Sequence, residues 1–229
     1  MSLLEVVDAR NQGTPSSRPP RFWSRRALDI AVGVPISLVV LPVVLVVALV
    51  LAVRFRANPF FIHNRVGYRG QTIPIPKLRT LSPDTHPYAD KTVVRIEAPH
   101  GFTRWLRKSH LDELPQLLLV LTGRLSLVGP RPRMLCEIDD HGDEAYDDLR
   151  TSVPQGCTGL WQVSCGTHGR VSDHPEYDEF YVEQHNLRLD LWILWRTLSQ
   201  TVGGRSIDFD DIPRWVLRDP DCTRTPVAS

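Results

Sequence analysis

The chain has 229 residues, 27 Lys and Arg against 26 Asp and Glu, a net charge of +1, and hydrophobic side chains at 42% of positions. That length allows one domain or two small ones, and a charge so near zero leaves no electrostatic footprint for nucleic acid, so no nucleic-acid partner is expected. Four cysteines, Cys136, Cys157, Cys165 and Cys222, form no CxxC pair and no zinc-ligand spacing, which fits reduced thiols facing a cytoplasm.

The small net charge conceals segregation. Arg10 to Arg26 holds five arginines and no acid, whereas Glu137 to Asp148 is dominated by Asp and Glu. Residues 1–22, rich in Ser, Pro and Arg and without hydrophobic periodicity, read as a disordered N-terminal tail. Residues 23–57 read as a membrane-inserted unit. Ile30 to Val53 carries no charge over 24 residues, and a helix needs roughly 20 to cross a bilayer. The run exceeds a usual signal-peptide core and is not followed by a small-residue cleavage site. Arg25 and Arg26 precede it and Arg54 and Arg56 follow it, so the positive-inside rule draws both ends to the cytoplasm. Pro35 and Pro42 lie inside, and each removes a helical hydrogen bond and bends the axis. A re-entrant helix-hairpin is the predicted form, with a single span as the alternative.

Residues 58–207 read as the globular unit and 208–229 as a C-terminal tail without chemistry. Pro59 to Leu78 predicts a β-hairpin turning at Gly67-Tyr68-Arg69-Gly70. Its second arm ends in Lys77-Leu78-Arg79, which puts two cations on one side of an extended strand, placed either to bind a diphosphate or simply to be solvated. Ser82 to His100 is a polar, proline-bearing loop. Phe102 to Arg107 has helical character, with Trp105 and Leu106 among Arg104, Arg107 and Lys108, a basic amphipathic pattern that fits an anionic membrane surface.

The stretch around which these parts are arranged is Arg107 to Arg133, RKSHLDELPQLLLVLTGRLSLVGPRPR. Ser109, His110 and Asp112 offer N-cap chemistry and Pro115 suits a first helical turn, so Asp112 and Glu113 are predicted at a helix N-terminus. The local field there stabilises anions and is expected to keep Asp112 ionised. Adjacent carboxylates divide labour when their surroundings separate their proton affinities; the same pair also serves as plain first-turn capping. Arginine forks bind phosphate bidentately, so the Gly129-Pro130-Arg131-Pro132-Arg133 turn has a use, and it is equally a rigid loop. Gly156 to Gly169 is glycine-rich, able to approach a nucleotide or only to turn. His168 and His174 have no ligand spacing. Leu187 to Val202 shows helical apolar spacing with two tryptophans suited to an interface, and Gly203 stops it.

Taken together, Asn64-Arg65-Val66-Gly67, Lys77-Leu78-Arg79-Thr80, Leu111-Asp112-Glu113-Leu114-Pro115-Gln116-Leu117, Ser126-Leu127-Val128-Gly129-Pro130-Arg131-Pro132 and Thr158-Gly159-Leu160-Trp161-Gln162-Val163-Ser164 resemble the bacterial sugar transferase family in its order, from about Arg25 to Val202. Its members are the monotopic phosphoglycosyl transferases. The resemblance implies a mainly helical α+β fold with a re-entrant membrane helix, amphipathic interface helices and a small globular domain. It implies transfer of a sugar-1-phosphate from a UDP-sugar to undecaprenyl phosphate, release of UMP, and a place at the first membrane step of exopolysaccharide or glycoconjugate synthesis. By the same resemblance Asp112 is the nucleophile and a Mg²⁺ ligand, Glu113 assists, and Lys77, Arg79, Arg131, Arg133, Asp190 and Gln162 bind substrate. Membrane lipid and a second copy of the chain are admitted as partners, and the location implied is the cytoplasmic face of the bacterial inner membrane.

Departures from that pattern are Leu41-Pro42 where a Ser-Pro is common, with Ser37 one turn earlier, Leu78 in place of a phenylalanine, and Cys165 in place of a glycine. The alternative from another class is a catalytically silent membrane-anchored scaffold; the intact Asp112, Glu113, Lys77 and Asp190 favour the enzyme.

Overall fold

A computed structural model describes residues 20–82, 101–134, 144–168, 171–201 and 203–219. Nearly all of the expected N-terminal tail, most of the loop from Ser82 to His100 and the start of the acidic stretch after Glu137 lie outside the described residues. Helix α1, Pro20–Phe55, runs through both Pro35 and Pro42 without interruption of its helical backbone. Single prolines are tolerated in apolar helices where surrounding structure supports the backbone. Ser37 does not supply that support through its hydroxyl, which is buried with no hydrogen-bond partner among the described residues.

The hairpin forms as predicted. Strands β1, Phe60–Val66, and β2, Thr72–Leu78, pair antiparallel, with Phe60 opposite Leu78 and Val66 opposite Thr72. They join through a 3₁₀ turn at Tyr68–Gly70, in which Arg69 and Gly70 both take positive φ. Helix α2, Phe102–Lys108, is followed by a 3₁₀ turn at Leu111–Gln116 and then helix α3, Leu117–Thr122. Strand β3, Ser126–Val128, comes next, and then β4, Arg133–Met134, which adds to β1 to give the order β2-β1-β4. Helix α4, Glu144–Thr151, leads to β5, Gly156–Thr158, which pairs parallel with β3 as a second small sheet. Helices α5, Leu160–Val163, α6, Pro175–Gln184, and α7, Leu187–Thr201, complete a mainly helical α+β architecture. Strands β3, β4 and β5 escape sequence reading because two or three residues are too short to display a period of two.

Two apolar clusters position the site. The larger gathers Ile75 of β2, Leu127 of β3, Tyr181 of α6 and Ile193 of α7. The smaller sets Val44, Ala48 and Leu51 of α1 against Leu78 and Leu106, with Leu111 and Leu114 packed on it. At the other end of α1, Arg26 donates to the carbonyls of Val120 and Leu121, and Gly33 faces the side chains of Val120 and Leu121. The segment from Leu111 to Leu121 therefore lies antiparallel along α1. Residues 208–219, expected as the start of a tail, join the larger core: Val216 is fully buried, Ile212 is buried, and Phe209 stacks on Tyr177 with ring centroids 4.3 Å apart. Their few apolar residues are spaced by 3₁₀ turns, which leave no helical or strand period to read.

Candidate active site

The turn that carries Asp112 and Glu113 begins with a reversal of the chain at His110, whose φ of 55° lies in the left-handed region. The expected side-chain cap is not made. Ser109 Oγ donates back to the Trp105 carbonyl at 2.9 Å, closing α2 instead of opening the next turn, and the His110 side chain caps nothing. Pro115 is buried inside the turn, where a residue without an N–H leaves no donor unsatisfied. The pair thus sits in the first turn of a 3₁₀ segment rather than of an α-helix.

Glu113 is clamped. Its Oε1 accepts from Lys77 Nζ at 2.7 Å and from Arg131 Nη2 at 3.4 Å, and Gln116 Nε2 reaches Oε2 at 3.5 Å. The end of the β-hairpin, the Asp-Glu turn and the Gly-Pro-Arg-Pro turn therefore converge on one carboxylate. Burial alone would raise the proton affinity of Glu113, but the charges of Arg131 and Lys77 outweigh it and hold the group well below the usual carboxylate range. Lys77 is pulled the other way: burial lowers its affinity for the proton, and the Glu113 charge opposes that.

Asp112 differs from its neighbour in both respects. Its half-buried carboxylate makes no hydrogen bond or ion pair among the described residues. Burial first, and then the Glu113 charge, raise its pKa, against the lowering by Lys77, Arg107 and His110. The depression expected from a helix N-terminus is thus absent, because desolvation and a like charge outweigh the field of one short turn. The two carboxylates are separated in the sense acid–base division of labour requires, Glu113 fixed and ionised, Asp112 unengaged.

A small cleft opens beside the clamp, lined by Arg65, Lys77, Gln116, Arg131, Gly156 and Cys157. Cys157 is the one thiol there, and burial pushes it far above the range in which it ionises at neutral pH, so it offers no competing nucleophile. The Gly129–Pro132 turn that presents Arg131 is held at every residue. Gly129 N–H donates to Thr158 O at 2.9 Å and Pro130 O accepts from Gly156 N–H at 3.0 Å. Arg131 O accepts from Arg150 Nη2 at 2.6 Å and Pro132 O from Arg65 Nη1 at 2.9 Å. Gly129, Gly156 and Gly159 permit this because a Cβ on any of them would fall within 2.3 Å of backbone. The glycines of this loop are thus close approaches between chain segments, not merely turns.

Other residues singled out in the sequence lie elsewhere. Arg79 donates through Nε to Asn58 O at 2.8 Å, turned from the clamp because β2 ends at Leu78. Arg133 is buried against Asp147 at 2.6 Å and is not available to a phosphate in this arrangement. Asp190, 1% exposed, pairs with Arg25 of α1 at 3.0 Å and accepts from Tyr181 Oη at 2.7 Å. The Gln162 amide is buried with no partner among the described residues, its Oε1 against Gly159. Sequence reading missed Arg65, Gln116 and Arg150. For Gln116 the signal was present, three residues after Glu113 on the same short turn; Arg65 stands in the Asn64–Gly67 segment of the resemblance, but its contact, like that of Arg150, was not readable, since the two cross 67 and 19 residues.

Residues 20–204 match the profile of the bacterial sugar transferase family. The chain is similar to the exopolysaccharide production protein ExoY of Sinorhizobium fredii, 29% identical over 214 residues that span 85% of this chain and 92% of that protein. It is 32% identical over 210 residues to an undecaprenyl-phosphate galactose phosphotransferase of Salmonella typhimurium, spanning 84% of this chain and 43% of the relative. To a UDP-glucose:undecaprenyl-phosphate glucose-1-phosphate transferase of Klebsiella pneumoniae it is 31% identical over 193 residues, 80% of this chain and 41% of the relative. The match thus covers nearly all of the first protein and about two fifths of the other two. With that profile and the ordered convergence of the Lys77, Asp112-Glu113 and Arg131 segments, the chain belongs to the bacterial sugar transferase family.

Proposed function

We propose that this protein transfers a sugar-1-phosphate from a UDP-sugar to undecaprenyl phosphate in exopolysaccharide or related glycan synthesis, through a covalent phosphosugar on Asp112. The observation that carries the reading is the contrast within the pair: Glu113 is locked between Lys77 and Arg131, while the adjacent Asp112 carboxylate has no partner among the described residues. Relatives whose names specify undecaprenyl-phosphate phosphotransferases of galactose and glucose supply the substrate classes.

In the first step an Asp112 carboxylate oxygen attacks the sugar-bearing phosphorus. The bond from that phosphorus to the bridging oxygen breaks, and UMP departs with the electron pair, needing no proton. In the second step an oxygen of undecaprenyl phosphate attacks the same phosphorus, the acyl phosphate bond breaks, and Asp112 returns as a carboxylate. Lys77 and Arg131, already gathered around one anion, neutralise the phosphate oxygens as charge shifts toward UMP. Burial and the Glu113 charge raise the proton affinity of Asp112, which makes its carboxylate a better nucleophile than that of an ordinary aspartate.

The donor set fits magnesium, which takes one or two carboxylates and completes its shell with substrate oxygens and water. Asp112, with Glu113 beside it, would hold the ion, and among the described residues no cluster of three or more ligand side chains forms a dedicated cage. Bound there, it would neutralise diphosphate charge.

Membrane seating supports the same reading. Leu38, Val39 and Val53 of α1 are more than 70% exposed, a face that water disfavours and lipid accepts. Both ends of α1 touch the same domain, Arg25 at Asp190 and Leu51 at the Leu78–Leu106 cluster. A helix crossing a bilayer carries its ends about 30 Å apart onto opposite faces, so this contact pattern favours insertion without crossing, and the arginines at both ends of the apolar run, Arg25, Arg26, Arg54 and Arg56, favour the cytoplasmic side of the inner membrane. Trp105 of α2 and Trp195 of α7, both more than half exposed, suit the interface.

Intact-protein mass measured after incubation with UDP-sugars and Mg²⁺, without lipid acceptor, tests the proposal. A gain of one phosphosugar in the wild type, absent in Asp112→Asn, is the expected result. UMP release that occurs only with undecaprenyl phosphate, and without an adduct, overturns the covalent step.

A further inference from the structure

The first three turns of α1 carry charges that belong to no lipid-facing helix. Arg25 and Asp29 are 8% and 5% exposed, and each is buried in the domain, not turned to solvent. Arg25 Nε pairs with Asp190 Oδ2 at 3.0 Å, its Nη2 donates to Val128 O at 2.9 Å, and it also bonds Tyr181 Oη. One turn later, Asp29 Oδ1 accepts from Leu127 N–H at 2.7 Å and from Ser126 Oγ at 3.0 Å. The membrane helix thus grips Ser126, Leu127 and Val128, the whole of β3. The next three residues are Gly129, Pro130 and Arg131, and Arg131 closes the clamp on Glu113.

A buried charge is retained only where its partners are worth its desolvation, and breaking one side of such a pair is costly. An apolar pairing would anchor the helix equally well, so anchoring alone does not call for charges here. What the charged groups add is direction: a guanidinium fork and a carboxylate fix β3 along its length at defined hydrogen-bond distances, whereas apolar packing leaves it free to slide. We infer that Arg25 and Asp29 are positioning residues for the phosphate clamp, holding β3 so that Arg131 meets the donor diphosphate, with Asp190 orienting Arg25. Seating of α1 in the membrane and formation of the donor site are then one event. This rests on the donor-site reading above, and Asp190, on α7, serves that site through Arg25 of α1 rather than by touching the substrate.

The test uses the full chain in lipid nanodiscs and two readouts: UDP affinity by calorimetry with Mg²⁺, and the KM and kcat of UMP release. Arg25→Lys keeps a cation for Asp190 but cannot fork to Val128 O. Asp29→Asn keeps an acceptor for Leu127 N–H, and Asp29→Leu removes it. Expected are about tenfold weaker UDP binding and a matching rise in donor KM for Arg25→Lys and Asp29→Leu, with Asp29→Asn within about threefold of wild type. Thermal unfolding is followed alongside. Lower stability with wild-type UDP affinity and KM per folded molecule, in Arg25→Lys or Asp29→Leu, overturns the positioning role and leaves an anchor only. Should Asp29→Leu fail to fold, Arg25→Lys decides. A wild type that binds UDP but transfers no phosphosugar defeats the transferase reading while the affinity comparison still judges the positioning; one that binds no UDP defeats both.

Discussion

Gly156→Ala tests how strictly the backbone of β5 sets the clamp. A Cβ at that position would lie 2.1 Å from Gly129 N, 2.4 Å from Thr158 O and 2.6 Å from the Val128 carbonyl carbon. All three are backbone atoms, so no side chain can swing aside, and β3 and β5 must part by at least about 0.9 Å to reach even a 3.0 Å contact. Forced overpacking costs about 1–3 kcal/mol. Separation also weakens the Gly156–Pro130 and Gly129–Thr158 hydrogen bonds, each worth about 0.5–1.5 kcal/mol net. The sum is about 2–6 kcal/mol, which lowers the melting temperature by about 5–20 °C in a domain of this size. Arg131 moves with the turn, and a displacement of about 1 Å costs up to about 100-fold in rate. Thermal unfolding and kcat/KM for UMP release, measured on the same preparation, check both effects. A variant that melts within about 1 °C of wild type and keeps kcat/KM within about twofold refutes the argument that close backbone approach positions Arg131.

Glu113→Gln should lower activity at neutral pH by about 100-fold or more, since Lys77 and Arg131 lose the carboxylate that organises them. Removing the Glu113 charge also removes the second-largest cause of the raised Asp112 pKa. The variant's residual acid limb therefore moves to lower pH, and an unmoved limb in a pH series of adduct formation refutes the coupling. The folded-state pKa of Glu113 is depressed, so its stabilising contribution is present above its unfolded value of about 4.3 and fades as pH falls toward the folded one. Denaturant titrations of wild type and variant should accordingly begin to approach one another below about pH 4 and draw closer as the pH falls further. Leu51→Ala, at a fully buried contact of α1 with the domain, should cost about 2–5 kcal/mol in nanodisc unfolding, whereas Leu38→Ala, 73% exposed, should leave protein stability near wild type. Equal losses at the two positions would mean that α1 does not dock as described.

Local chemistry made much of this protein legible in its sequence. An uncharged run of 24 residues, a glycine-bearing hairpin turn between apolar arms, and the helical spacing after Leu187 each encode their element within a few neighbouring residues, and all three elements form. Asp112, Glu113, Lys77 and Arg131 were likewise readable as candidates through their place in the ordered motifs of the resemblance, while residue type alone left first-turn capping, a solvated strand end and a rigid loop open. Which of them meet was decided by tertiary structure. Lys77 and Glu113 are 36 residues apart, and Glu113 and Arg131 are 18, separations at which no sequence period carries information. The same holds for proton affinity. From sequence alone Asp112 sits at a favourable helix end; in the fold, burial and an ionised neighbour reverse the direction of its shift. Arg133 and Asp190 show the limit most clearly, since a motif specifies which residues are present but not which partner captures them. Asp147 takes the first and Arg25 the second, because a charge excluded from water pairs with whatever opposite charge the packed chain brings beside it.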